Sequence, residues 1–141
     1  MRLAGLLSLK RFALTTQADV TYATRQTGKR SVGWMASVRP VWKASERFQL
    51  KGFASVFFTD DFESAVYAYE PQLLRAGAFP SFAYHGMRAV VVSNWQIVRS
   101  LLVGLRFGST HYFNRSSISS GVAAIHSSWK NDVSVQLRWR L

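Results

Sequence analysis

Hydrophobic and polar residues alternate along most of this chain, so that every second side chain is apolar. The pattern is uninterrupted in the last ten residues, DVSVQLRWRL, where the apolar positions are Val133, Val135, Leu137, Trp139 and Leu141. A period of two predicts β-strands, because successive side chains of a strand point to opposite faces of its sheet. Since several of these runs reach ten residues or more, we expect an all-β protein built from long antiparallel strands.

The alternation predicts seven long strands, at residues 2–10, 12–25, 31–43, 48–59, 87–97, 100–113 and 131–141. The first run also has some features of a signal peptide. Its apolar core is short, however, Lys10 and Arg11 follow it directly, and no small-residue cleavage site comes after them, so a strand is favoured. Phe53 and Phe57 are the clearest exceptions to the alternation, because both lie on the polar side of their strand.

The predicted connections differ in length from one end of the strands to the other. Short turns are predicted at Lys10–Arg11, Ala44–Arg47 and Ile97–Ser100. Longer links are predicted at Gln26–Arg30, at about Asp60–Gly86 and at Asn114–Lys130. Short turns at one end and long loops at the other are typical of outer-membrane barrels, in which the turns face the periplasm and the loops face outward.

Large aromatic side chains on the apolar faces cluster at the short-turn ends of the strands. These predicted membrane-interface aromatics are Phe12, Trp42, Phe48, Trp95 and Trp139, and Trp34 and Phe58 would belong to the opposite end. Aromatic girdles mark the two interfaces of membrane barrels. The same residues also suit the core of a soluble sandwich. The one-ended placement favours the girdle, and we expect an antiparallel up-and-down transmembrane β-barrel segment of about seven or eight strands in the cell outer membrane.

Composition limits the alternatives. The 141 residues fit a single domain spanning 1–141, and Lys and Arg exceed Asp and Glu by 18 to 7, a net charge of +11. The chain has no Cys, which excludes disulfides and thiol catalysis. Basic residues fall on the polar strand faces, where a barrel would turn them toward its lumen and favour anionic solutes. The predicted lumen-facing set is Arg39, Lys51, Arg88, Arg106, Arg138 and Arg140.

Seven strands are an odd number, whereas bacterial single-chain barrels have an even number. An unpaired strand edge is also not tolerated in lipid. Either an eighth strand lies within 60–86, with Ala65–Tyr69 as the candidate, or the chain is the C-terminal part of a larger barrel. The expected partners are outer-membrane lipid, the barrel assembly machinery and, in the second case, the upstream part of the barrel.

Four pieces of sequence resemble a known family. They are TDDFESAVYAYE (Thr59–Glu70), FPSFAYHGMR (Phe79–Arg88), LLVGLRFGSTHY (Leu101–Tyr112) and ISSGVAAIHSSWKNDVSVQLRWRL (Ile118–Leu141). The chain from about Gly33 onward resembles the C-terminal barrel region of large Bacteroidota-type outer-membrane proteins named as helix-hairpin-helix domain-containing proteins. It departs from them in lacking an acidic residue within Gly121–Ser127 and in ending with Leu141 instead of Phe. The resemblance implies an outer-membrane location and a barrel fold, without an activity or DNA-binding residues.

Residues with catalytic or metal-binding potential are few. Asp60, Asp61, Glu63 and Glu70 form an acidic cluster in a predicted extracellular loop, but the spacing and Gly of an EF-hand are absent, which favours solvation or salt bridges to arginines over Ca²⁺ binding. The histidines, His85, His111 and His126, show no metal-ligand spacing, and Ser116–Ser120 contains no nucleophile elbow. We therefore expect no enzyme, no metal and no cofactor.

The alternative function is that of a soluble, basic β-barrel that binds nucleic acid by base stacking and phosphate contacts. Phe53 and Phe57 beside Lys51 fit such a face. The tryptophans argue against it, since Trp34, Trp42, Trp95 and Trp139 lie opposite the charged positions. The favoured function is an outer-membrane barrel segment with a structural or transport role, and no nucleic-acid partner is expected for it.

Overall fold

In a computed structural model, the chain folds into strands joined by turns and loops. The structure describes residues 1–24, 28–74, 79–114 and 127–140. The strands are β1 (Arg2–Ser8), β2 (Phe12–Thr24), β3 (Arg30–Ser45), β4 (Phe48–Thr59), β5 (Val66–Tyr67), β6 (Ser81–Phe82), β7 (His85–Val98), β8 (Leu101–Tyr112) and β9 (Trp129–Trp139). Within the described ranges, no helix is long and apolar enough to cross a membrane.

Seven strands form one large antiparallel sheet in the order β1-β2-β3-β4-β7-β8-β9. Neighbours in the sheet are also neighbours along the chain, except that β5 and β6 intervene between β4 and β7 and pair only with each other. Pairing extends over nearly whole strands, as between β2 and β3, from Phe12 opposite Trp42 to Thr24 opposite Arg30. β1 and β9 are the two edges of the sheet. The expected all-β, up-and-down antiparallel architecture is confirmed.

All seven predicted long strands are present, and each end lies within two residues of its predicted position. The alternation predicts these strands correctly because successive side chains point to two chemically different faces of the sheet. An eighth strand within 60–86 is not found in the described part of the large sheet. Of the candidate Ala65–Tyr69, only Val66–Tyr67 is a strand, and it pairs with Ser81–Phe82 instead of with the sheet.

The sheet has two chemically different faces. What we call the apolar face carries Val20, Trp34, Val38, Trp42, Val56, Val91, Trp95, Phe107, Val135 and Leu137. What we call the polar face carries Gln17, Asp19, Ser37, Arg39, Ser55, Arg88, Arg106, Thr110 and Asp132. These side chains of the apolar face are all exposed, for example Leu137 at 71%, whereas Asp19 on the polar face is only 5% exposed.

The polar face is buried because residues 60–74 and 79–84, which we call the inner segment, fold back over it. Segment residues Val66, Ala68, Leu73 and Phe82 pack into one apolar cluster with Met35, Phe53, Phe57, Val90 and Val92 of the sheet. The rings of Phe57 and Phe82 lie 5.2 Å apart between centroids. The predicted long link between β4 and β7 is present, but much of it is buried against the sheet instead of being open to solvent. Phe53 and Phe57 break the alternation because they pack against it.

Glycines let the inner segment approach the sheet closely. A Cβ at Gly33 would collide with the carbonyl oxygen of Ser64, and a Cβ at Gly104 would lie 2.8 Å from Cδ2 of Leu73. The segment returns to the sheet through Tyr84, whose φ of 72° is in the left-handed region. The turn is fixed by Thr59, which donates its backbone N–H to the Tyr84 carbonyl at 2.9 Å and accepts the Tyr84 N–H at Oγ1.

Candidate functional site

A cluster of four charged residues lies between the inner segment and the polar face. Glu70 comes from the segment, and Arg88, Arg106 and Asp132 come from β7, β8 and β9. Arg88 donates from Nε to Glu70 at 2.5 Å and from Nη2 to Asp132 at 3.1 Å. Arg106 is paired with the same two carboxylates. Because two cations meet two anions, the cluster is electrically balanced in a site where the Glu70 side chain is only 1% exposed.

This balance changes the role expected for two of the predicted lumen-facing residues. Arg88 and Arg106 do lie on the polar face, but both are engaged by carboxylates and so have little capacity left for a solute anion. The salt-bridge interpretation of the acidic cluster holds for Glu70. The cluster connects the inner segment to three adjacent strands and so fixes the position of the segment against the sheet.

A second polar network lies over β1, β2 and β3. Asp19 accepts hydrogen bonds from Arg2 Nε at 2.6 Å and from Gln17 Nε2 at 2.5 Å. Arg39 donates to Gln17 Oε1 at 2.7 Å and to the Tyr69 carbonyl at 3.3 Å. Arg39 therefore meets neutral oxygens only, and its charge is not matched by a carboxylate within the described residues.

The remaining predicted lumen-facing residues are placed differently from one another. Lys51 on β4 is half-buried and has no hydrogen-bond or carboxylate partner among the described residues. It lines a cavity of about 360 Å³ together with Thr15, Arg39, Val41, Gly52, Tyr69 and Pro71. Arg138 is half-buried on β9, and Arg140 is exposed just beyond the end of that strand. The structure thus brings Arg39 and Lys51 to one cavity and leaves Arg138 and Arg140 apart from it.

The predicted interface aromatics form a row at the short-turn ends of the strands. Phe12 pairs with Trp42, Phe48 pairs with Trp95, and Trp139 pairs with Leu101. The tryptophans of this row are all exposed on the apolar face, with Trp139 at 64%. At the other end of the sheet a second group stacks in pairs. The Trp34 and Phe58 rings lie 4.8 Å apart, and those of His111 and Trp129 lie 4.3 Å apart.

The acidic residues at the start of the inner segment bind backbone and hydroxyl groups. Asp60 accepts the Val32 N–H at 2.9 Å, and Asp61 accepts the Ser31 hydroxyl at 2.6 Å and the Glu63 N–H at 3.0 Å. In the described ranges no three His, Asp or Glu side chains are grouped so as to hold a metal ion. His126 and Ser116–Ser120 lie outside the described residues.

A depression of about 780 Å³ in the described surface is open and mostly apolar. Its lining includes the small residues Ala18, Ala36, Ala54 and Ala89, which share the apolar face and leave the sheet backbone close to the surface. Few polar groups point into it, so it offers little to orient a polar ligand. It forms part of the exposed apolar face.

Sequence reasoning missed the burial of the polar face and the pairing of Arg88 and Arg106. The available signal was the pair Phe53 and Phe57, whose position on the polar side required an apolar cover. Comparison of the chain with family models, with curated proteins and with solved structures finds no match.

Proposed function

We propose that this chain forms part of the wall of an outer-membrane β-barrel, with its apolar face toward lipid and its polar face toward the interior. The observation that carries the proposal is the reversed burial of the two faces. Val135 and Leu137 are 63% and 71% exposed, while Asp19 and Arg106 are 5% and 7% exposed. A soluble sheet protein buries its apolar face and leaves its polar face in water.

The size of the exposed apolar face supports the proposal. Exposed large side chains continue across the sheet from Leu3 on β1 to Trp139 on β9. Contiguous apolar patches beyond a few hundred Å² mark contact with a membrane or with another protein. On the residues of this face that we list above there is no charge, and a charge near the bilayer midplane costs roughly 2–4 kcal/mol.

The spacing of the aromatic rows fits the thickness of a bilayer. Trp129 and Trp139 mark the two ends of β9, ten residues apart. At about 3.3 Å per residue they are separated by about 33 Å along the strand. A strand tilt of roughly 40° reduces this to about 25 Å along the membrane normal, which is the height of the apolar band of outer-membrane barrels.

The inner segment gives the interior a structural role, because it occupies the polar face and is held there by the balanced charge cluster. Loops and plugs that fold into a barrel are common in this class of protein. What remains open beside the segment carries excess positive charge at Arg39 and Lys51. The function that we propose is therefore a structural or transport wall with preference for anionic solutes.

The aromatic residues that favoured the nucleic-acid alternative are buried. Phe53 and Phe57 are 2% and 1% exposed beneath the inner segment and cannot stack on bases. The exposed tryptophans of the sheet, such as Trp95 and Trp139, lie on the apolar face, opposite the cations of the polar face.

A nitroxide scan of β9 tests the proposal directly, and the absence of Cys in the chain allows single cysteines to be introduced without background. Residues 131–138 are replaced one at a time, labelled, and reconstituted in phosphatidylcholine vesicles. Labels at 133, 135 and 137 should collide preferentially with oxygen, which concentrates in hydrocarbon, and labels at 134 and 136 should not. Equal access of both sets to a water-soluble nickel complex would contradict the proposal. Fractionation of the host envelope should place the protein in the outer membrane.

A further inference from the structure

We propose that the cavity at Arg39 and Lys51 is a binding site for small organic anions carrying a phosphate or carboxylate head. Its role in a barrel interior rests on the proposed function, whereas anion binding itself requires only that the cavity is open to water. The cavity measures about 360 Å³ and lies between strands β2–β4 and the inner segment. It has the size of a site for a small metabolite.

The first argument is the unbalanced charge. Three other arginines make side-chain hydrogen bonds on the polar face, and each has a carboxylate partner. Arg2 pairs with Asp19, and Arg88 and Arg106 pair with Glu70 and Asp132. Arg39 and Lys51 have none in the described part of the chain. The cavity therefore holds two positive charges that only a ligand or solvent counter-ions neutralise.

The second argument is the way the inner segment divides its side chains. Glu70 is buried against the arginines of β7 and β8, while its neighbours Tyr69 and Pro71 line the cavity. The carboxylate of Glu70 is thus engaged by the arginines of β7 and β8 and is not available to the cavity. An acidic residue at either neighbouring position would neutralise Arg39 or Lys51, and the chain places an aromatic ring and a proline there.

The third argument is geometric complementarity. Val41 lies opposite Lys51 in the register, so Arg39 and Lys51 are diagonal neighbours on adjacent strands. Such neighbours have Cα atoms about 7–8 Å apart, which allows a guanidinium and an ammonium to share one anionic head. Arg39 also lies 5.9 Å from the centre of the Tyr69 ring. The ring and Pro71 offer a wall for the uncharged body of the ligand.

Two further residues complete the lining beside Lys51 and Arg39. Gly52 lines the cavity through its backbone, because the register places its side-chain position on the apolar face, opposite Val91. Thr15, opposite Arg39 on β2, adds a hydroxyl to the lining. The ligand class is thus a compact anion with a polar body, such as a sugar phosphate.

Calorimetric titration of the detergent-solubilised full chain tests the site, with glucose 6-phosphate as the probe and glucose as its uncharged counterpart. Lys51→Gln should weaken glucose 6-phosphate binding about tenfold, the loss expected for one charge-assisted hydrogen bond. Lys51→Arg should retain binding. Lys130→Gln is the matched control, since it removes the same charge from the polar side of β9 and should change binding less than twofold.

Three results would each overturn the proposed site. They are equal binding by wild type and Lys51→Gln, binding of glucose as tight as that of glucose 6-phosphate, and no binding of glucose 6-phosphate to wild type. These results leave the nitroxide pattern of β9 unaffected. If that pattern shows both faces in water while the binding differences persist, the membrane proposal falls and the anion site remains.

Discussion

The effect on stability of an arginine substituted in the middle of the apolar face distinguishes a face in contact with lipid from a face in contact with water. Val135 lies near the centre of β9, is 63% exposed, and pairs with Leu105, which is also exposed. In hydrocarbon, Val135→Arg should destabilise the folded state by about 2–4 kcal/mol, since Arg cannot reach either interface easily from mid-strand. This corresponds to roughly a 30- to 900-fold smaller folding equilibrium constant. In water, replacing an exposed Val by Arg changes stability by no more than about 0.5 kcal/mol.

The difference in the free energy of unfolding is measured by urea titration, with tryptophan fluorescence as the signal. The chain is first folded into short-chain phosphatidylcholine vesicles. Val135→Leu is the control at the same position and should leave the midpoint nearly unchanged. Asn131→Arg adds the same charge near the end of the strand, where the cost falls to about 0–1 kcal/mol. A Val135→Arg variant as stable as Asn131→Arg would refute the assignment of this face to lipid.

Three further substitutions test the inner segment. Glu70→Gln should destabilise the fold by about 3–5 kcal/mol, because two buried arginines lose a carboxylate partner. Protease should then cut the inner segment sooner, whereas the control Glu46→Gln, in an exposed turn, should have no effect. Phe57→Ala should cost about 3–5 kcal/mol in a urea titration, because its ring is 1% exposed against the segment. Gly33→Ala should cost about 1–3 kcal/mol in the same assay, because the new methyl collides with backbone at Ser64; unchanged stability would mean that the segment does not rest on the sheet.

The strands were predictable because their signal is local and repeated. Each long strand places ten or so residues between two different environments, and the resulting alternation, as in Val133–Trp139, fixes both type and extent. It does not say which environment lies on which side, since a soluble core and a lipid-facing wall produce the same alternation. In the structure the two faces differ, because Val135 is exposed and Arg106 is buried, and this difference supports the membrane proposal.

The site was less predictable because its contacts join distant parts of the chain. Glu70 meets Arg88 and Arg106, 18 and 36 residues further along, and no local pattern specifies which arginines it selects. The cations on the polar strand faces therefore looked equivalent in the sequence. Tertiary structure divides them into balanced ones, such as Arg106, and unbalanced ones, such as Lys51.

The free edges of the sheet place a further condition on the membrane proposal. Every residue of β1 is exposed, and the outer sides of β1 and β9 have no partner in the described chain. In hydrocarbon each unpaired peptide group costs several kcal/mol, so both edges require partner strands. Seven antiparallel strands leave β1 and β9 running in the same direction, and joining them to each other would create a parallel ladder. Closure with antiparallel pairing throughout therefore requires an odd number of additional strands between them, which gives the even total of bacterial barrels.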